Sequence, residues 1–221
     1  GAINDNTTSL PYIEDLESHY GRKISYLELG CSGGQVVMDL TRRGHDAYGL
    51  EGTPFCHPDY RGPNAASREA WHNLYGVRLF NCDISKDFSL EKNDGEVKKF
   101  DVISSWEVFE HLPTECLPNF MKILHRHLKD DGAILLGISP WGYTTDISKC
   151  DMDGVGDLGK IMETVFAVVD FPHQSCFFRS EWEELFFNEL FVTSDYMLDS
   201  KLRSDGWDQP KDLRCGSFYC T

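Results

Sequence analysis

The stretch Tyr26-Leu27-Glu28-Leu29-Gly30-Cys31-Ser32-Gly33-Gly34 decides the fold of this chain. The apolar residues 24–29 predict a buried strand that stops at glycines, and the apolar spacing after Gly34 predicts a helix. A strand, a glycine turn and a helix form the entrance of many nucleotide-type sites, because glycine lets the backbone approach a ligand closely. Glu28 would repel a pyrophosphate, and the G-x-G-x-x-G spacing of dinucleotide-binding proteins is absent. A ligand with a ribose and a cationic amine but no phosphate would suit Glu28 well.

The rest of the chain alternates short apolar runs with helical patterns. Strands are predicted at residues 46–51, 77–80, 100–105 and 133–138, and helices at 10–20, 65–74 and 113–129. Past residue 140 the rhythm breaks, and a helix at 180–190 with strands at 191–198 and 215–220 is predicted to close the fold. Because short connections between alternating strands and helices imply parallel pairing, we expect an α/β, doubly wound, mostly parallel sheet with helices on both faces.

The run from Glu28 to Gly34 resembles the first motif of class I methyltransferases that depend on S-adenosylmethionine (SAM), usually written D/E-x-G-x-G-x-G. Ser32 stands where the middle glycine usually is. The order of elements continues this resemblance over residues 23–139. It implies a Rossmann-like, doubly wound, mostly parallel seven-stranded sheet, with SAM as the cofactor.

Three acids follow three successive predicted strands. Ligands of open α/β sheets bind beyond the carboxyl ends of the strands, where Glu28, Glu51 and Asp83 are expected to meet. In the family that the chain resembles, the acid at the second position accepts the ribose hydroxyls and the third accepts the adenine amino group. The resemblance implies a cofactor-binding set of Glu28, Gly30, Cys31, Ser32, Gly33, Gly34, Glu51, Gly52, Cys82, Asp83, Ile84, Ser105 and Trp106.

The segment after the fourth strand carries the candidate chemistry. If it is helical, Glu107, Glu110 and His111 stand at i, i+3 and i+4, which places two carboxylates and an imidazole on one face. This E-x-x-E-H pattern is similar to that of two metal-assisted O-methyltransferase families, those of ubiquinone biosynthesis and the small-RNA 2′-O-methyltransferases. The resemblance implies a divalent cation, Mg²⁺ or Mn²⁺, held by Glu107, Glu110, His111 and His173. Without a metal, His111, His173 and Glu107 are the candidate catalytic bases.

The length fits one domain over residues 1–221. Residues 1–22 are expected to form an N-terminal helix that caps the cofactor. Residues 140–172 follow the fifth strand without a regular pattern, and a connection of this length is typically functional. We therefore expect residues 140–172 to form a substrate lid.

Composition limits the partners and the compartment. The 21 Lys and Arg against 36 Asp and Glu give a net charge of −15, which disfavours nucleic acid as a partner. No apolar run is long enough to span a membrane, and the first residues carry no secretory signal pattern. The eight cysteines lack C-x-x-C spacing, so thiols in a reducing cytoplasm are expected. The residues favour no particular oligomeric state.

Taken with the resemblance, these patterns predict a cytoplasmic SAM-dependent methyltransferase that modifies a small-molecule acceptor at oxygen. Two alternatives stay open. One is a catalytically silent protein that keeps SAM binding but has lost its acceptor site. The other is an NAD-dependent oxidoreductase, against which the position of Glu28 and the missing dinucleotide motif both argue.

Overall fold

The computed structural model describes residues 10–59 and 68–138, together with the short segments 184–185, 193–194 and 216–220. Four helices are described within these residues: α1 Leu10–Tyr20, α2 Gln35–Arg42, α3 Arg68–Leu74 and α4 Leu117–His127. The strands are β1 Ser25–Leu29, β2 Asp46–Glu51, β3 Leu79–Asn81, β4 Phe100–Trp106, β5 Leu128–Ile138, β6 Thr193–Ser194 and β7 Gly216–Cys220. Short 3₁₀ turns lie at Pro54–Cys56, Phe109–His111 and Thr114–Cys116.

The strands form one sheet in the order β3-β2-β1-β4-β5-β7-β6. The strands from β1 to β5 pair in parallel, while β7 pairs antiparallel with β5 and β6. β1 is the middle one of the five parallel strands, and its Leu29 aligns with Leu50 of β2 on one side and Ser105 of β4 on the other. The five parallel strands all end at one edge of the sheet, called the carboxyl edge below, and begin at the opposite amino edge. The predicted Rossmann-like, doubly wound, mostly parallel arrangement is confirmed.

Each face of the sheet is covered by a separate apolar cluster. On one face, α1, α2 and α3 bury a cluster that includes Ile13, Val37 and Trp71. On the other, α4 and the turn before it bury a cluster that includes Phe109 and Phe120. Strands covered on both faces read as nearly continuous apolar runs, which is why β4 and β5 were recognisable in the sequence.

A buried carboxylate organises the amino edge. Asp101, 0% exposed at the start of β4, accepts hydrogen bonds from both guanidinium nitrogens of Arg22 and from the ammonium of Lys129. It also accepts from the backbone and hydroxyl of Ser25, the first residue of β1. Hydrogen bonds from Arg22 and Ser25 outweigh the effect of burial and hold the pKa of Asp101 far below its usual value. This cluster joins the two central strands at the edge opposite the candidate site.

Several predicted boundaries are corrected. The helix predicted at 113–129 begins at Leu117 and ends at His127, after which β5 starts five residues earlier than expected. β3 begins at Leu79, because Val77 lies 64% exposed in the turn that follows Gly76. The predicted helix at 10–20 matches α1. The predicted lid at 140–172 and most of the predicted closing elements lie outside the described residues. In the part of the chain that is described, no helix is both long and apolar enough to cross a membrane.

Candidate active site

The glycine turn joins β1 to α2 at the carboxyl edge. Gly30 and Gly34 have φ angles of 73° and 75°, in the left-handed region that glycine adopts without steric cost. Ser32 lies in the same region with a φ of 46°, although it has a side chain. The backbone N–H groups of Gly30 and Cys31 both donate to the carbonyl of Leu50, so the turn stays attached to β2. The turn thus needs three left-handed residues, and only two of them are glycine.

Glu51, at the end of β2, connects two turns through its carboxylate. One oxygen accepts the backbone N–H of Ser32 at 2.8 Å, and the other accepts the N–H of Thr53 at 2.9 Å. The side chain is half-buried rather than enclosed. Glu51 therefore lies beside the glycine turn, with each oxygen oriented by a backbone amide.

Glu28 and Cys31 are buried next to the same turn. The side chain of Glu28, on β1, is 4% exposed, and Cys31, two residues after the end of β1, is 5% exposed. Burial, reinforced by the negative charges of Glu28 and Glu51, raises the pKa of the Cys31 thiol well above its usual value. Cys31 is therefore a neutral packing residue rather than a nucleophile, and it fills the space beside Gly49, where a β-carbon would lie 2.7 Å from its sulfur.

In the segment after β3, the side chain expected to bind the cofactor, that of Asp83, contacts its own sequence neighbours. The backbone of Cys82 donates to the carbonyl of Glu51, and Ile84 is buried. Asp83 is exposed, and its carboxylate accepts the backbone and hydroxyl of Ser85 and pairs with Lys86 at 3.0 Å. Hydrogen bonds from Ser85 and Lys86 lower the pKa of Asp83, so the carboxylate is ionised. Asp83 reaches the carboxyl edge with its side chain engaged in its own turn.

The end of β4 forms the other side of the site. The hydroxyl of Ser105 donates to the carbonyl of Leu29 at 3.2 Å, which links β4 to the strand that carries the glycine turn. The indole of Trp106 lies directly over Gly137 of β5, where any β-carbon would collide with the ring. Glu107 follows with a φ of 54°, and its N–H donates to the carbonyl of Gly137 at 2.7 Å. The exposed Glu107 side chain is therefore held at the carboxyl edge by a left-handed backbone turn.

The predicted helical face of Glu107, Glu110 and His111 is wrong. Glu107 is left-handed, and only Phe109–His111 forms a single 3₁₀ turn. Pro113 ends that turn, because a residue before proline avoids helical angles, and Leu112 is extended with a ψ of 139°. The three side chains also differ in environment: Glu107 is exposed, His111 is half-buried and Glu110 is 0% exposed.

These positions do not fit a shared metal site. Across the described ranges, no three His, Cys, Asp or Glu side chains lie close enough together to hold a metal ion. His173, the fourth predicted ligand, lies outside those ranges. Glu110 is fully buried and Glu107 lies on the surface, so the two carboxylates do not form one open cation site.

Several residues of the site were missed from the sequence. The amide of Asn81 donates to the carbonyls of Glu51 and Thr53, at 2.9 Å each. The indole N–H of Trp71 and the thiol of Cys56 both donate to the carbonyl of Ser32. An asparagine at a strand end is a recognisable signal for a turn contact. The bond from Trp71 joins residues 39 positions apart, and no local pattern predicts it.

Comparison with known proteins agrees with this geometry. A family model described as a methyltransferase domain matches residues 11–149, which is more than half of the chain. A search of curated proteins finds no match.

Solved structures of similar fold include the 1,6-didemethyltoxoflavin-N1-methyltransferase of Burkholderia thailandensis, at 16% identity and a TM-score of 0.53, covering 98% of this chain and 78% of that chain. They also include the magnesium protoporphyrin IX methyltransferase of Synechocystis PCC 6803, at 14% identity and a TM-score of 0.54, covering 96% and 80%. A third is TehB from Haemophilus influenzae, at 15% identity and a TM-score of 0.52, covering 95% of this chain but 61% of that one. At these identities the likeness concerns the fold. With a matching model over most of its described residues, the chain belongs to the methyltransferase domain family.

Proposed function

We propose that this chain binds SAM at the carboxyl edge and transfers its methyl group to a small molecule. The observation that carries this proposal is Glu51, whose carboxylate lies beside the glycine turn with both oxygens already oriented by backbone amides. A carboxylate has about four lone-pair sites, and two are used by Ser32 and Thr53. The remaining two fit the two hydroxyls of a ribose.

The charge of the site supports SAM over a dinucleotide. Glu28, Glu51 and Asp83 all lie at the carboxyl edge, and Asp83 is ionised. SAM carries a sulfonium and an ammonium, whose positive charges would stabilise a buried carboxylate such as Glu28. A pyrophosphate would be repelled at the same place. The family match likewise favours methyl transfer over an NAD-dependent oxidation.

The remaining predicted cofactor positions are retained as part of this proposal. The backbone from Gly30 to Gly34 would approach the cofactor closely, with Gly52 beside the ribose. The segment of Cys82, Asp83 and Ile84 would flank the adenine. Its backbone would hydrogen-bond the adenine better than the Asp83 carboxylate would, because that carboxylate is already held by Ser85 and Lys86. Trp106, stacked over Gly137, would form the wall between the cofactor and the acceptor.

Methyl transfer from a sulfonium is an in-line displacement. A lone pair of the acceptor oxygen forms the new bond to carbon while the carbon–sulfur bond breaks, and its electron pair converts the sulfonium to the thioether of S-adenosylhomocysteine. The acceptor proton must then go to a base. Glu107 is proposed for this role, since it is exposed at the carboxyl edge directly after Trp106. His111, one 3₁₀ turn further on, is the second candidate, and His173 is retained from the sequence resemblance.

A small acceptor and an oxygen nucleophile complete the proposal. A net charge of −15 disfavours a polyanion. Two of the structural relatives are methyltransferases named for 1,6-didemethyltoxoflavin and magnesium protoporphyrin IX, which are small molecules. Oxygen is favoured because Glu107 and His111 supply the base that a hydroxyl needs. We further propose one cytoplasmic domain over residues 1–221, with residues 1–22 as a cap and residues 140–172 as the acceptor lid.

Titration calorimetry with SAM, S-adenosylhomocysteine and NAD tests the cofactor. We expect both SAM and S-adenosylhomocysteine to bind at micromolar concentrations and NAD to give no signal. Binding of NAD alone would overturn the proposal. Turnover on panels of hydroxyl, amine and carbon acceptors then tests the chemistry. SAM binding without turnover on any panel would identify a catalytically silent SAM-binding protein instead.

A further inference from the structure

The carbonyl of Ser32 accepts two hydrogen bonds from side chains that lie far along the chain. The indole N–H of Trp71, on α3, donates to it at 2.9 Å. The thiol of Cys56, in the 3₁₀ turn after β2, donates to it at 3.0 Å. Both donors are buried, with Trp71 1% and Cys56 5% exposed. The turn that faces the cofactor is therefore held from behind by two other segments.

These bonds matter because of the conformation of Ser32. Its φ of 46° is left-handed, a region that residues with a β-carbon occupy at an energetic cost. Its N–H belongs to the preceding peptide and is bound by Glu51, whereas its carbonyl belongs to the following peptide and is bound by Trp71 and Cys56. The two peptide planes on either side of the Ser32 α-carbon are thus both fixed. Fixing both planes fixes the φ and ψ angles of Ser32.

Helix α3 is positioned to do this by its packing. Ala70, the residue before Trp71, lies 3.4 Å from the place where a β-carbon on Gly34 would stand. The Cδ1 atom of Leu79, on β3, lies 2.6 Å from the same hypothetical β-carbon, so the helix and the strand enclose the end of the turn. Trp71 therefore reaches Ser32 from a helix that already contacts the last glycine of the turn.

We propose that Trp71, supported by Cys56, is a positioning residue for cofactor binding. With one hydrogen bond each, Trp71 and Cys56 hold Ser32 in the left-handed conformation that a glycine at position 32 would adopt unaided. The inference rests on the proposed function, since the turn that it positions is the one proposed to bind SAM. Its consequence is that the affinity for SAM depends on a side chain behind the turn.

The test is a double-mutant cycle read by calorimetry with SAM. Trp71→Phe keeps the apolar ring and removes the N–H, and SAM should bind about threefold to tenfold more weakly, the loss expected for one hydrogen bond. In the Ser32→Gly background the same change should cost less than about twofold, because glycine holds the left-handed conformation unaided. Tyr75→Phe is the matched control, since its hydroxyl binds His57 rather than the turn, and it should bind SAM like the wild type.

Equal losses from Trp71→Phe in both backgrounds would show a packing effect and overturn the inference, as would an unchanged affinity. Cys56→Ser, which keeps a donor, should bind SAM more tightly than Cys56→Ala, and the reverse order would also contradict it. Amide exchange at Ser32 gives a readout without SAM: Trp71→Phe should accelerate it about tenfold and Tyr75→Phe should not. If the wild type bound no SAM, the proposed function would fail, and this exchange measurement alone would decide the role of Trp71.

Discussion

The side chain of Val108 lies against the α-carbon of Gly30, so closely that a β-carbon on the glycine would collide with the Cγ2 methyl of Val108. Gly30 opens the turn after β1, and Val108 belongs to the segment after β4. The proposed cofactor turn and the proposed acceptor side therefore meet at this contact. Glycine is required at position 30 for two reasons: its φ of 73° is left-handed, and Val108 leaves no room for a β-carbon.

Gly30→Ala should lower the free energy of unfolding by about 2–4 kcal/mol, from the left-handed backbone and from overpacking together. Chemical denaturation measures this. Adding Val108→Ala should recover the overpacking part but leave the backbone part. Gly95→Ala is the control, because Gly95 has a φ of 83° with nothing within 4 Å of its added β-carbon. A double variant no more stable than Gly30→Ala alone would mean that the contact with Val108 is not the cause.

Glu51→Ala should weaken SAM binding by about 1–3 kcal/mol, because it removes a charged hydrogen-bond acceptor and releases the N–H of Ser32. Calorimetry at neutral pH measures this loss. Asp59→Asn, an exposed carboxylate change in the segment that follows the Pro54–Cys56 turn, should leave the affinity unchanged. An unaltered affinity in Glu51→Ala would remove the ribose assignment.

Glu107 combines an exposed carboxylate with a left-handed backbone, and the two properties are separable. Glu107→Gly should leave the free energy of unfolding unchanged or raise it by up to about 1 kcal/mol, since glycine accepts a φ of 54°. Glu107→Gln keeps the backbone strain and should leave stability unchanged. Both variants should lower kcat by about 100-fold or more if Glu107 is the base, with SAM affinity preserved. Full turnover in both variants would mean that Glu107 is not the base. His111 would then be the candidate, and the turnover of His111→Gln would test it.

The depressed pKa of Asp101 should make the stability of the protein depend on pH, independently of the candidate site at the carboxyl edge. Its pKa is depressed in the folded state, so its contribution is present above the unfolded value of about 4 and is lost as the pH falls below it. Asp101→Asn should cost about 1–3 kcal/mol at pH 7, a moderate figure because Arg22 and Lys129 are partly exposed to solvent. Denaturation curves of the wild type and the variant should converge toward acid pH. SAM affinity at pH 7 should be the same in both, and a weaker affinity would couple the two edges of the sheet.

Much of the fold was predictable because its signal is local. β2 and α1 match the sequence prediction residue for residue, since their apolar spacing and the breaks around them lie in the same short stretch. The start of β5 was missed because Lys129, Asp130 and Asp131 interrupt its apolar pattern before the buried part begins. Polar residues at the extended end of a strand show no hydrophobic periodicity. Sequence analysis therefore assigns them to the end of the preceding helix.

The candidate site was predictable where it depends on strand ends and not where it depends on tertiary contacts. Glu51 is beside the glycine turn, as the spacing of acids suggested. The helical face at residues 107–111 was wrong because periodicity cannot show that a left-handed residue precedes the turn and that Pro113 follows it. The role of Trp71 could not be predicted, because its hydrogen bond goes to a backbone carbonyl, a group that every residue has.

Ser32 also bears on how members of this family are recognised. The three glycines of this motif reflect a requirement for particular backbone angles. Glycine is the residue that meets the requirement most often. Here a serine meets the same requirement with support from a tryptophan and a cysteine outside the motif. A search that demands the middle glycine would reject chains that keep this geometry, whereas one that allows a small residue there and asks for a donor on the third helix would retain them.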